Sequence, residues 1–232
     1  MDFSKPGEHF PQERIPEYPL TYGQKALWFH YLVAPESVAY NLAGAVAVPG
    51  DTDLDALQRA FDRLAQRHPM LRTSFEAQHG EPVQRVHPAM EASFACKDAS
   101  TWSAAKLDEV LTEEVYRPFD LENGPTWRVT VFQQAPIPKD GQAAGKFQDH
   151  LVLLVLHHII ADLWSITVIL TEIAALYREE ISGIPARLKP FRSSFADHVN
   201  KESERLADAQ GDNSWRYWHS TLLGDLSPLS LT

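Results

Sequence analysis

Two adjacent histidines, His157 and His158, stand at the end of an apolar run, Leu151-Val-Leu-Leu-Val-Leu, with Asp162 four residues beyond the second. Histidine is the side chain whose ordinary pKa lies nearest neutrality, so it suits proton transfer or the positioning of an amine. Neighbours on an extended strand point to opposite faces, so the two rings cannot serve one site together. One of them meets a cavity, and the other is held inside by hydrogen bonds. Asp162 is close enough in sequence to brace the turn that presents His158. A metal centre is disfavoured: the two rings diverge, the single cysteine, Cys96, is distant, and no zinc-type ligand spacing occurs. Taken alone, the spacing is more often structural than chemical. The rest of the chain must decide.

A reactive side chain needs a rigid support, and a strand end followed by a tight turn supplies one. The six apolar residues from Leu151 have the pattern of a strand buried on both faces. A helix is expected from about Trp164 to Glu180, with Ile166, Ile169, Leu170, Ile173 and Leu176 spread over more than one face, hence well buried. Upstream, Pro19 to His30 starts a helix for which Thr21 and Gln24 can form a capping box. Asn41 to Val48 reads as a strand ending at Pro49-Gly50, and Asp51 to Arg67 as an amphipathic helix. A strand from near Leu71 is expected to pair with Gly80 to His87. Thr101 to Tyr116 is a second amphipathic helix, followed by a strand from Trp127 to Phe132 and a long loop over 134–148. Helical patterns at Ser194 to Ala209 and Ser214 to Leu223 complete the chain, with Trp215, Tyr217 and Trp218 as packing anchors. Interleaved strands and helices predict an α/β fold, a two-layer sandwich with a mixed β-sheet and packed helices.

Composition narrows the class of function. The 232 residues are 44% hydrophobic and 22% charged, which is ordinary for a globular chain. The formal net charge of −10 disfavours nucleic acid and anionic membrane as partners. The first residues lack the apolar core of a signal peptide, and the run near Leu151 is too short to cross a bilayer. A soluble, cytoplasmic protein is expected. Cys96 reads as a packed thiol, and His150, His198 and His219 as surface or interface residues without a motif.

An ordered set of motifs resembles the N-terminal lobe of a condensation domain of nonribosomal peptide synthetases, a family related in fold to chloramphenicol acetyltransferase. Leu20-Thr-Tyr-Gly-Gln24-Lys-Ala-Leu-Trp28 looks like the family's first core motif. Arg67 to Phe75 is similar to R-H-E-x-L-R-T-x-F, with Pro69 in place of the glutamate. Pro118 to Leu121 matches a P-F-D-L segment, and His157 to Asp162 matches H-H-x-x-x-D-G with Leu163 in place of the glycine. Residues 1–18, rich in proline and charge, read as a flexible lead, and the resemblance implies the lobe over 19–223 and the start of an inter-lobe linker over 224–232.

The resemblance also implies a reaction. Two acyl groups are carried as thioesters on the phosphopantetheine arms of donor and acceptor carrier proteins. The acceptor amine attacks the donor thioester to form an amide, and no cofactor is bound covalently. His158 matches the family's catalytic histidine, with His157 supporting the loop. Asp162 is expected to be structural, ion-paired with an arginine for which Arg67 and Arg72 are the candidates in this chain and the C-terminal lobe is the other source. Gln24, Leu163, Trp164 and Ser165 are candidates to line the substrate channel, although for Trp164 a buried anchor of the helix is the favoured reading. Leucine at 163 would narrow the close approach that a glycine amide offers, which points to an altered, polyketide-like donor. The implied partners are the two carrier proteins, the C-terminal lobe and adjoining synthetase modules. With the channel between two lobes, one lobe alone is expected to be inactive and to expose an apolar face. The alternatives are a non-catalytic lobe that docks carriers, and an ester-forming or acyl-coenzyme A-dependent acyltransferase of the same superfamily.

Overall fold

The apolar run before the histidine pair is a strand, His150–His157, hydrogen-bonded to a neighbour on each side. It belongs to a computed structural model that describes residues 16–90, 93–134 and 149–223. The strands, in chain order, are β1 (Glu17–Pro19), β2 (Asn41–Val48), β3 (Thr73–Gln78), β4 (Glu81–Val86), β5 (Ser93–Asp98), β6 (Trp127–Gln133) and β7 (His150–His157). The helices are α1 (Tyr22–Val33), α2 (Leu54–Arg67), α3 (Ala104–Val115), α4 (Leu163–Ser182), α5 (Phe195–Ala207) and α6 (Ala209–Leu222). A 3-10 turn, Pro69–Arg72, joins α2 to β3.

Two sheets form. The larger has the order β2-β7-β6-β5, antiparallel except for the parallel β5–β6 pair, so it is the expected mixed sheet. The smaller is antiparallel, β1-β4-β3, and contains the expected hairpin. Burial explains the register of the central pair. Trp127, Val129 and Val131 of β6 are fully enclosed, and Val152 to Leu156 of β7 are buried on both faces. Each such side chain contributes about 1.5–3 kcal/mol on leaving water.

The helices follow from caps and stripes. The Asp53 carboxylate accepts from the Ala56 amide to start α2, and Leu57, Ala60, Phe61, Leu64 and Ala65 then bury one face. Gly183 ends α4 in the left-handed conformation, where only glycine is free of strain. Arg59 and Arg63 of α2 pair with Glu179 and Glu180 of α4 along the outer edge of their contact.

Several expectations are corrected. Helix α4 buries one stripe, Ile169, Ile173 and Leu176, while Leu170 and Ile181 face outward. Trp215, Tyr217 and Trp218 are exposed on α6, so they anchor nothing in this lobe. Cys96 is exposed, whereas His150 is buried and accepts a hydrogen bond from the Gln134 amide. Strand β5 is not apparent in the sequence pattern, and β1 begins at Glu17, inside the expected lead. Residues 1–15, 135–148 and 224–232, which hold most of the expected lead, long loop and linker, lie outside the described residues. Among the described residues no helix is long and apolar enough to cross a membrane.

Candidate active site

The β7 ladder separates the two histidines. Asn41 pairs with His157 in the β2–β7 register, and the Tyr40 carbonyl then accepts the His158 amide at 2.8 Å. The His157 amide donates to the Thr126 carbonyl at 3.0 Å, just ahead of β6. His157 is 6% exposed, against the edge of the Phe119 ring, whose centroid is 6.3 Å away. Its Nδ1 accepts the Ile159 amide at 3.1 Å, which requires a lone pair there and leaves the proton of the neutral ring on Nε2. Burial, followed by the nearby charges of His158 and His30, pulls its pKa down to about 4.

His158 is exposed, on the opposite side of the strand end. Its Nδ1 lies 2.8 Å from the Ala161 carbonyl. A carbonyl can only accept, so Nδ1 carries the proton and the neutral ring presents a basic lone pair at Nε2. That Nε2 makes no hydrogen bond among the described residues. One imidazole is therefore locked as an internal acceptor, and its neighbour is aimed outward with the Nε2 lone pair open.

Asp162 starts α4. Its Oδ1 accepts the Ser165 amide at 2.7 Å and the Ser165 hydroxyl at 2.6 Å, while the Asp162 amide donates back to Ser165 Oγ at 3.2 Å. This reciprocal cap satisfies helix-terminal donors and, through the Ser165 hydroxyl and amide, holds the Asp162 carboxyl below its usual range. Neither in-chain candidate, Arg67 nor Arg72, pairs with Asp162. Arg67 Nε and Nη2 grip Glu172 of α4 at 2.9 and 3.2 Å, and its guanidinium stacks 4.4 Å above Phe191. His68 Nε2 donates to the same carboxylate at 2.7 Å. Burial opposes ionisation of Glu172, but Arg67 and His68 outweigh it and hold the carboxyl low. Arg72 hydrogen-bonds backbone carbonyls instead, those of Ala65, Gln66, His87 and Pro88. Both arginines are structural, at the joint of α2, α4 and the hairpin.

The channel candidates divide. Gln24 is buried, its Nε2 donating to the Ile159 carbonyl at 3.1 Å and its Oε1 accepting the Thr21 amide. It ties α1 to the histidine turn and lines no channel in this lobe. Ser165 is the partner of the Asp162 cap. Leu163 and Trp164 open α4 and are 78% and 76% exposed, so Trp164 is no buried anchor. Leu163 has helical backbone and meets no steric demand for glycine there. Tyr22, Phe29, Leu32 and Val33 of α1 are exposed as well. Sequence reasoning reaches Phe119 only within the P-F-D-L match, and it misses Arg128 behind that ring altogether. The available signal is a cation inside an otherwise apolar strand, Trp127-Arg-Val-Thr-Val-Phe132. Among the described residues no group of three or more His, Cys, Asp or Glu is arranged to hold a metal ion.

Residues 15–232 match the condensation domain family, and the chain belongs to it. It is 32% identical over 230 residues to chondramide synthase cmdD of Chondromyces crocatus, covering 96% of this chain and 6% of that protein. Over 217 residues it is 31% identical to gramicidin S synthase 2 of Brevibacillus brevis, covering 93% of this chain and 4% of that one. The solved starter condensation domain of rhizomide synthetase RzmA superposes with a TM-score of 0.77 at 19% identity, covering 92% of this chain and 49% of that one. The chain thus has the fold of about half of that solved domain and spans a small share of the synthetases it resembles.

Proposed function

We propose that this lobe supplies the proton acceptor of a condensation reaction between two carrier-bound thioesters, and that the acceptor is Nε2 of His158. The observation that carries this reading is the Nδ1–H bond to the Ala161 carbonyl, which fixes the tautomer whose free lone pair faces solvent. An acceptor amine placed there donates its proton to Nε2 as its nitrogen attacks the donor thioester carbonyl. The C–N bond forms, the C–S bond breaks, and the proton passes to the departing thiolate of the donor's phosphopantetheine arm. A group poised for proton transfer near neutrality contributes about 10²- to 10⁴-fold. Holding two tethered substrates together removes a further ~7–11 kcal/mol in favourable cases.

The same geometry argues that the lobe works only in company. His158, Leu163 and Trp164 are open to solvent, and a site that excludes water needs a second surface over them. The C-terminal lobe is the proposed cover, and donor and acceptor carrier proteins the proposed partners. The test is a single-turnover condensation with one donor-loaded and one acceptor-loaded carrier, read by intact-protein mass spectrometry. This chain, the chain joined to a C-terminal lobe, and its His158→Ala form are compared. Product from the joined wild type alone, reduced at least ~100-fold in His158→Ala, is expected. Equal rates with and without His158 would overturn the assignment. Carrier binding without turnover for any donor would leave a docking lobe.

A further inference from the structure

We infer that Arg128 is a positioning residue for His158, acting through Phe119 and His157. The inference rests on the reading of His158 as the proton acceptor and extends it to a residue that no motif contains. Arg128 lies on β6, where it pairs with Val155 of β7, and is 3% exposed. Its nearest carboxylate oxygen, Glu114 Oε2, is 3.9 Å away, beyond hydrogen-bond reach. The guanidinium is directed at backbone instead. Nε and Nη2 donate to the Glu114 carbonyl at 3.2 and 2.7 Å, and Nη2 also reaches the Arg117 carbonyl at 2.5 Å. These carbonyls end α3 and start the next segment, where the helix dipole favours a cation. Asn41, opposite His157 in the ladder, donates its Nδ2 to the Val115 and Arg117 carbonyls at 2.8 and 3.1 Å. The two side chains together clamp the chain ahead of Phe119.

The consequence reaches the site in three contacts. The Arg128 guanidinium stacks 4.1 Å above the Phe119 ring. Phe119 meets His157 edge-on at an interplanar angle of 90°. His157 Nδ1 accepts the Ile159 amide, inside the turn whose Ala161 carbonyl holds His158 Nδ1. Rotation of His157 therefore shifts the backbone that sets the direction of His158. An apolar side chain would fill the Arg128 position without the cost of burying a cation, a cost that pulls the guanidinium pKa down to about 10. What arginine adds is a planar fork reaching two carbonyls while its face packs on a ring.

The experiment uses the complete condensation domain with Arg128→Met, Arg128→Lys, Phe119→Leu and the Arg128→Met/Phe119→Leu double form. Single-turnover rates at saturating carriers are measured beside the imidazole ¹⁵N resonances of labelled histidine. Arg128→Met is expected to lose up to ~100-fold in rate, the scale of an ångström-sized misplacement, with half-saturating carrier concentrations little changed. Arg128→Lys, which keeps the charge without the fork, falls between. The double form is no slower than Arg128→Met, because both changes cut one route. The His157 nitrogens leave the shifts of an Nε2–H tautomer, while those of His150 stay. A folded Arg128→Met at wild-type rate, losses that multiply in the double form, or unmoved His157 nitrogens would each overturn the inference. If Arg128→Met does not fold, Arg128→Lys decides: a wild-type rate overturns the relay. Should His158→Ala keep full activity, the catalytic reading fails, yet the His157 shifts still report whether the relay exists.

Discussion

Arg67 and Arg128 are both drawn out of water, and both stand at a helix-to-strand connection, yet they serve different parts of the molecule. Arg67 takes a bidentate carboxylate, Glu172, and binds α2 to α4. Arg128 takes carbonyls and an aromatic face, and its contacts lead to the histidine turn. The motif arginine is thus bolted to the scaffold, while an arginine outside any motif packs toward the histidine turn. A motif marks where a side chain is demanded; only geometry tells whether the demand comes from packing or from reaction.

The comparison is sharpened first by pH. His157 binds fewer protons folded than unfolded, because its folded pKa of about 4 lies below the ordinary value of 6.5. Its stabilisation is complete above pH 6.5 and is lost as pH falls toward 4, amounting to roughly 2 kcal/mol by pH 5. Urea midpoints between pH 7 and 5 should fall accordingly, and His157→Asn should flatten that slope. Next in size, Arg67→Ala should lower stability by about 2 kcal/mol, because the half-buried Glu172 carboxylate is left with His68 alone, without moving the His157 nitrogen resonances. A change in those resonances would erase the distinction between the two arginines. Asp162→Ala should cost about 1 kcal/mol and Asp162→Asn a few tenths, the order expected of a helix cap. Equal losses would reinstate an ion pair. Smallest of all, Trp164→Ala should shift the stability of this chain by less than ~0.5 kcal/mol, since its indole is exposed.

The legible parts of the fold were those that repeat. The stripe of α2, the unbroken apolar run of β7 and the Thr21–Gln24 box each state their structure in local chemistry. Strand β5, Ser93–Asp98, did not, because it is short, half-exposed and paired in parallel with a strand more than thirty residues away. β1 hid among prolines, since it takes its shape from β4. At the site, the opposite facing of the two histidines followed from strand alternation. The cap that Asp162 makes with Ser165 did not follow, because a carboxylate at that spacing can cap a helix, pair with a cation, or do both, and only distance shows the Ser165 contact. Trp164 misled for a related reason: its apolar ring implies cover, but none of the described residues encloses it.

The ladder between β2 and β7 carries a consequence for how the site comes into being. The His158 amide is pinned to the carbonyl of Tyr40, and Asn41 faces His157 across the same ladder. A loop of roughly a hundred residues or more must close before that pinning exists, and such long closures slow folding. On a ribosome adding about 5–20 residues per second, the early strand waits several seconds for its partner to be made. Through that interval Asn41–Val48 is an unpaired strand with an apolar face, the kind of segment on which nascent chains stick to one another. The histidine turn is therefore held only once β7 has been made, and its birth depends on an early strand being kept free until then.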